Sequence, residues 1–330
     1  MRILLTGATG LLGSHLARVL VTRGDTVTAI VRPTSQTESL RQLGVQCLPI
    51  PLDQIDKLTV AMRKMDAVIH AAARVHTTGP WSDYYRVTVT GTRNVLAAAT
   101  ASEIRHFVHI SSVGVYGWPR PDGRPFVETD EYGQLHRWNY YSHAKLLAEQ
   151  LVRQSSVSFT ILRPSLVYGP GDTGTLGRIV AALQSHQLKL IGDGTNRFSL
   201  IFVTDVANAI AAAVHQPKAT SEIFNIAADE LCLTQQEFIH QLCQLTGAAF
   251  PTAHIPYTTA YRLAFLSECV AHATAFQVCP PLTRLAVLLL GGRRGYNSAK
   301  LRHTLNWQPT VSMSDGLRAY ESSRNSETNH

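Results

Sequence analysis

Charge is scarce in this sequence. Asp, Glu, Lys and Arg make up 16% of its 330 residues, against roughly 25% in ordinary globular chains. With 45% hydrophobic residues, such a chain is neither intrinsically disordered nor a charge-laced coiled coil. Cysteine is sparse as well. The five cysteines, Cys47, Cys232, Cys243, Cys269 and Cys279, form no CxxC pair and have no histidine at metal-ligand spacing, so neither a disulfide framework nor a metal site is expected. Their odd number fits a reducing, cytoplasmic setting. Basic clusters are missing: 30 Lys and Arg against 23 Asp and Glu give a formal charge of +7, yet no run is longer than Arg293-Arg294. That argues against nucleic-acid binding and leaves a mildly basic surface suited to small anionic ligands. No targeting segment is expected, because a strand pattern starts directly after Met1-Arg2. No apolar run reaches the ~20 residues of a membrane span. The greasiest stretch, 259–290, is interrupted by Arg262, Glu268, His272, Pro280-Pro281 and Arg284. A buried core helix or an apolar lid over a substrate is expected there; an amphipathic helix on a membrane surface is the less favoured alternative.

What the sequence does have is alternation. Apolar β-rich runs at Ile3–Leu5, Thr26–Val31, Ala67–Ile69, Phe107–Ile110 and Phe159–Leu162 are separated by helix-length segments at Leu11–Thr22, Leu58–Lys64, Thr88–Ala101 and Tyr140–Gln154. Buried strands alternating with helices predict βαβ units and an α/β, doubly wound parallel sheet of the Rossmann type. After Arg163-Pro164 the rhythm breaks. Gly169–Gly177 and Gly192–Gly194 read as loops, Ser199–Val203 as a strand, Asp205–His215 as a helix and 221–227 as a further strand. The expected organisation is a nucleotide-binding domain at 1–165 that also receives roughly 199–227. A smaller, mostly helical substrate lobe comprises 166–198 and 228–321, followed by a frayed polar tail at 322–330.

Residues 3–13, ILLTGATGLLG, carry a strand into Gly7, Gly10 and Gly13 and then open a helix. The glycines allow a tight turn, close backbone approach to a pyrophosphate and tight helix-on-strand packing, while the helix N-terminus attracts phosphate. The second strand ends TVTAIVRPTS. The carboxylate that would read the 2′-hydroxyl of NAD is missing; Arg32, followed by Thr34 and Ser35, favours the 2′-phosphate of NADP(H), with NAD(H) the alternative.

Tyr141 and Lys145, in YYSHAK (140–145), share one face of an expected helix. A free phenol titrates near ~10, and a cation one turn away is expected to lower that value. Ser112, at the end of the strand in VHISSVGVYG (108–117), can hold a substrate oxygen. The three together suit proton transfer coupled to hydride transfer.

These motifs give the sequence a clear resemblance to the extended short-chain dehydrogenases/reductases. TGATGLLG (6–13), DAVIHAAA (66–73), SSVGVYG (111–117), YSHAK (141–145) and RPSLVYGPGD (163–172) occur in the family's order. The resemblance implies Ser112 as the polarising hydroxyl, Tyr141 as acid–base, and Lys145 as the residue that tunes Tyr141 and binds the nicotinamide ribose. For the cofactor it further implies Thr9, Leu11 and Leu12 in the Gly loop, Ser35 and Leu52 on the adenosine side, Ala71, Ala72 and Ala73 after the third long strand, Ser111, and Pro164, Ser165 and Val167 beside the nicotinamide. Two positions depart from the family pattern: Pro51, with Asp53 out of register, stands where relatives often carry an adenine-binding Asp, and Thr88 replaces an Asn before the VxGTxN segment.

Within the family, Val113-Gly114 replaces the acid pair of the dehydratases, which argues against dehydration. The segments 190–210 and 280–320 resemble the 3β-hydroxysteroid dehydrogenase and dihydroflavonol-reductase-like branch, whose C-terminal lobe forms an apolar pocket. The resemblance therefore implies an NADP(H)-dependent ketone reductase or alcohol dehydrogenase acting on a lipophilic small molecule, with a homodimer expected. A nucleotide-sugar epimerase with tightly bound NAD, and a non-catalytic NADP-sensing regulator, are the alternatives.

Overall fold

The computed structural model describes residues 1–75, 78–117, 123–197, 199–228, 233–292 and 295–328. Cys232 and the Arg293-Arg294 pair lie outside the described residues. The first half alternates as expected. β1 (Arg2–Thr6), α1 (Leu11–Thr22), β2 (Thr26–Val31), α2 (Glu38–Gln42) and β3 (Gln46–Pro49) form one winding of the sheet, and α3 (Ile55–Met62) crosses to the other. That winding contains β4 (Ala67–His70), α4 (Trp81–Tyr84), a π-helical stretch (Tyr85–Thr90), α5 (Gly91–Ala101), β5 (Phe107–Ile110), a 3₁₀ turn (Val113–Tyr116), α6 (Tyr140–Gln154) and β6 (Phe159–Pro164). The second half contains β7 (Leu166–Tyr168), α7 (Thr175–Gln184), β8 (Leu190–Ile191), β9 (Leu200–Phe202), α8 (Val203–His215), β10 (Glu222–Ile226), α9 (Gln235–Thr246) and β11 (His254–Ile255). α10 (Tyr257–Ala273), α11 (Arg284–Gly291), α12 (Ala299–Leu305) and α13 (Met313–Thr328) complete it.

Seven parallel strands form the central sheet in the order β10-β6-β5-β4-β1-β2-β3. This is the doubly wound Rossmann arrangement expected from the alternation. The winding reverses between β1 and β4, where Thr6 stands beside His70, and a ligand crevice opens at such a reversal. One face of the sheet is covered by α1 and α8, whose contact is made by Leu16, Ala17 and Leu20 with Val206, Ala207 and Ile210. The other is covered by α3, α5 and α6 through Leu58, Met62, Val95, Leu96, Ala99 and Val152. Strands covered on both faces must be apolar throughout, which is why β1 reads Ile-Leu-Leu rather than alternating.

A separate core joins Leu176, Ile179, Val180 and Leu183 of α7 to Phe238, Ile239 and Leu242 of α9 and to Met313, Leu317 and Tyr320 of α13. Three details correct the expected organisation. First, the Gly-rich span expected as a loop to Gly177 becomes helix α7 at Thr175, because Asp172 accepts from the backbone of Gly174 and Leu176 and starts the helix. Second, 299–307 belongs to the sheet side rather than the lobe. Leu301, Leu305 and Trp307 enter the core shared by α1 and α8. Buried Asp205 holds this segment, accepting from Thr310 and Val311, while its carbonyl accepts from the Trp307 indole. Third, α13 continues through the expected frayed tail to Thr328.

The apolar 259–290 segment is split: α11 buries Val287 and Leu288, with Val287 in a core cluster with Ile191, Ala260 and Ala264, whereas α10 is mostly exposed. α10 buries only its alanines, Ala260, Ala264 and Ala271, and leaves Leu263, Phe265, Leu266 and Val270 exposed. Its inner face lines a cleft, described below. Among the described residues no helix is long and apolar enough to cross a membrane.

Candidate active site

The Gly loop joins β1 to α1. Gly7 has φ +75°, and a Cβ there would lie 2.7 Å from the Ala72 nitrogen and 2.8 Å from the Ala71 carbonyl carbon. A Cβ at Gly13 would collide with the Gly7 carbonyl. Only glycine lets the loop, the helix and the end of β4 close on one another. α1 starts at Gly10 with no side-chain cap and no acidic residue in its first turn, and Thr9 and Gly10 are exposed. Its positive end is therefore left for an anion, and the residues fit a dinucleotide pyrophosphate. Leu11 and Leu12 are half-buried in that first turn.

The sheet edge of the crevice is braced by a directional chain of hydrogen bonds. The Ala72 amide donates to Thr6 Oγ1 at 3.2 Å, Thr6 Oγ1 meets His70 Nδ1 at 2.8 Å, His70 Nε2 meets Thr92 Oγ1 at 3.0 Å, and Thr92 donates to the Thr88 carbonyl at 2.6 Å. The two ends of the chain determine the middle. With Thr6 accepting from Ala72 and Thr92 donating to Thr88, His70 carries its proton on Nε2. Burial, helped by the charge of Lys145, pushes His70 down to about 3, so it stays neutral. Thr88, which departs from the family pattern, keeps an anchoring role: its hydroxyl accepts from the Arg74 amide at 3.0 Å. The π-helical stretch lies around it.

Arg32 is exposed directly after β2, and Ser35 lies three residues on, its amide bonded to the Arg32 carbonyl. The Ser35 hydroxyl is shielded and has no protein partner. Leu52 packs beside Gly91, and its carbonyl accepts from Asn94. Asp53 is exposed. Ala71, Ala72 and Ala73 follow β4. Pro164 closes β6, Ser165 is buried with its hydroxyl unpartnered, and Val167 sits in β7 against the main core.

Ser112, Tyr141 and Lys145 come together at the end of β5. Ser112 caps the 3₁₀ turn, accepting from the Gly114 amide at 3.0 Å, and its hydroxyl bonds Tyr141. Asn139 caps α6 by accepting from Ser142 at 3.2 Å, which places Tyr141 in the first turn and Lys145 one turn further in. The buried Lys145 ammonium donates to the Ile110 carbonyl at 2.7 Å. The acidified phenol expected from the one-turn spacing is not what this arrangement produces. Burial raises the Tyr141 phenol above its ordinary value, and the Ser112 hydrogen bond only partly opposes this. The reason is directional: Lys145 is turned to the end of β5. Its own value falls to about 8 by burial, partly offset by Glu149.

Sequence reasoning missed the anion beneath. Glu149 is fully buried and accepts from Ser111 at 2.5 Å, from Tyr132 at 2.9 Å and from both Nε and Nη2 of Arg163 at 3.2 and 2.5 Å. Arg163 Nη1 continues to the Tyr116 hydroxyl at 2.7 Å, which donates to Asn225 at 2.8 Å. The Ser111 hydroxyl is thus committed to Glu149, and its amide donates to the Leu162 carbonyl of β6 at 2.7 Å. The signal was present: Glu149 lies four residues after Lys145 on the same helix face, and Arg163 is a charged residue in an otherwise apolar strand, which demands a buried partner.

A cleft opens beside Tyr141. Thr78, Gly79, Tyr84, Trp138 and Tyr140 form the wall on the α6 side. Glu268, Ala271, His272, Phe276, Arg284 and Leu285 face them from α10, α11 and their connection. Among the described residues no group of three or more His, Cys, Asp or Glu side chains is placed to hold a metal ion.

The comparisons with known proteins agree with this architecture. The profile described as the NAD dependent epimerase/dehydratase family matches residues 3–227. A 4-hydroxy-2-methyl-3-oxo-4-farnesyl-3,4-dihydroquinoline-1-oxide ketoreductase of Stigmatella aurantiaca is 31% identical over 97% of this chain and 95% of its own. A 2-alkyl-3-oxoalkanoate reductase of Stenotrophomonas maltophilia (strain K279a) is 30% identical over 98% and 99%. The crystal structure of a UDP-glucuronic acid 4-epimerase from Bacillus cereus in complex with NAD superposes with a TM-score of 0.78 over 99% of both chains, at 23% identity.

Proposed function

Since this chain belongs to the NAD dependent epimerase/dehydratase family and is an NAD(P)-dependent enzyme of the oxidoreductase and epimerase type, we propose that it reduces a ketone on a lipophilic small molecule with NADPH. The observation that carries the proposal is that Tyr141, hydrogen-bonded to Ser112 and one helical turn before Lys145, lines an aromatic-walled cleft. The nicotinamide, when bound, supplies or accepts the hydride. The protein's own groups do the rest. Ser112 holds the substrate oxygen, and Tyr141 gives it a proton. A phenol raised by burial stays protonated at neutral pH and can donate to a carbonyl oxygen. Lys145, with a value near 8, is mostly cationic at neutral pH and stands where the nicotinamide ribose is expected.

NADP(H) is favoured by Arg32, by the lack of a carboxylate at the end of β2, and by the shielded, partnerless Ser35 hydroxyl beside it. A lipophilic substrate is favoured by the rings of Tyr84, Trp138, Tyr140 and Phe276 around the cleft, and by two relatives of nearly full coverage that are named as reductases of oxo compounds. Tyr141→Phe tests the assignment. NADPH binding should persist while turnover of a hydrophobic ketone falls by about a hundredfold to ten-thousandfold; near-normal turnover would refute the role of Tyr141.

A further inference from the structure

The cleft carries a charge arrangement that the reaction itself does not use. Among the described residues that line it, Glu268 is the one acidic side chain and Arg284 the one arginine, and there is no lysine. The two are paired. Glu268 accepts from the Arg284 backbone amide at 2.7 Å and from its Nε at 2.6 Å. Both side chains are mostly buried, at 14% and 13% exposure. The guanidinium carbon lies 4.5 Å from the Trp138 ring centre and 5.0 Å from that of Phe265. Arg284 is thus held by α10, by its own backbone and by the segment that leads into the catalytic helix. Its Nε is committed to Glu268, and its positive charge is balanced by that carboxylate.

A cation in this state still has hydrogen-bond donors to offer on its terminal nitrogens, but the pair it belongs to carries no net charge. A substrate carboxylate entering the cleft would lose its hydration, compete with Glu268 for the same guanidinium and be repelled by the Glu268 carboxylate. A carbonyl or ester oxygen would meet none of these penalties. On the ketoreductase reading above, we propose that the Glu268–Arg284 pair determines substrate specificity: it accepts ketones whose second polar group is a neutral acceptor and excludes the corresponding free acids.

Glu268→Gln tests this without dismantling the wall. The glutamine carbonyl can keep the Arg284 backbone contact, while the compensating charge is lost. The intact chain with NADPH is assayed on 3-oxodecanoate and its methyl ester, and kcat/KM is compared as an acid-to-ester ratio. The wild type should prefer the ester. In Glu268→Gln the ratio should move toward the acid by about tenfold or more, the scale of one charge-assisted hydrogen bond. In Glu268→Gln with Arg284→Gln the gain should vanish. A wild-type preference for the acid, or a ratio unmoved in Glu268→Gln while the ester is still reduced, overturns the proposal. Calorimetric binding of decanoate and methyl decanoate to the same proteins separates this from the reaction. If the ester-selective binding and its loss in Glu268→Gln are seen without turnover of any ketone, the ketoreductase reading fails and the selectivity stands. Equal binding of both ligands by the wild type overturns the selectivity itself.

Discussion

Lys145 should be a residue that the enzyme retains at a cost to its stability. Its side chain is 3% exposed, so solvent screening relieves little of the burial. The drop from 10.5 to about 8 corresponds to roughly 3 kcal/mol against the buried ammonium at neutral pH. Lys145→Met removes the charge and keeps an unbranched apolar stem. It also loses the 2.7 Å hydrogen bond to the Ile110 carbonyl, worth about 1 kcal/mol. The variant is therefore expected to be more stable by about 2 kcal/mol and catalytically crippled, the combination expected of a functional residue in a strained setting. Urea unfolding at neutral pH reads this directly as a higher midpoint at unchanged slope. The pH dependence supplies a second check. The folded-state value is depressed, so between about 8 and 10.5 the native protein releases a proton that the unfolded chain still holds. Wild-type stability gains there from Lys145, since the unfolded state binds more protons. The advantage of Lys145→Met should accordingly shrink across that window. A variant that is less stable than wild type at neutral pH, or whose advantage grows above pH 8, would refute the account.

Arg163→Met should destabilise the protein by about 3 kcal/mol or more, because it leaves the buried Glu149 carboxylate with Ser111 and Tyr132 as donors but without its cation; an unchanged urea midpoint would dissolve the argument. Arg32→Asp should lower the kcat/KM preference for NADPH over NADH by about tenfold or more, and an unaltered ratio would remove Arg32 as the reader of the 2′-phosphate.

Much of the fold was legible because its driving forces are local. α1, β2, β5 and α6 begin and end where the apolar pattern said they would, with a Gly loop before Leu11 and buried strands between turns. The Gly7–Gly13 loop and the YxxxK pair are likewise set by spacing along the chain, since glycine geometry and the helical turn act over a few residues. Where a side chain points across the fold is another matter. Helical spacing placed Lys145 beside Tyr141, but only the packing of α6 on β5 turned its ammonium to the Ile110 carbonyl and left the phenol raised rather than acidified. Residues 299–307 looked like part of the lobe until Asp205, about a hundred positions away, drew them onto the sheet. Glu149 and Arg163 met because strand and helix pack face to face, and Glu268 met Arg284 because α10 folds back over α11. Such pairings depend on loop closure over long stretches and on burial that no local pattern encodes, so the sequence alone determined the Gly7–Gly13 turn and the spacing of Tyr141 and Lys145, and the tertiary structure decided which partners their side chains meet and what lines the cleft beside them.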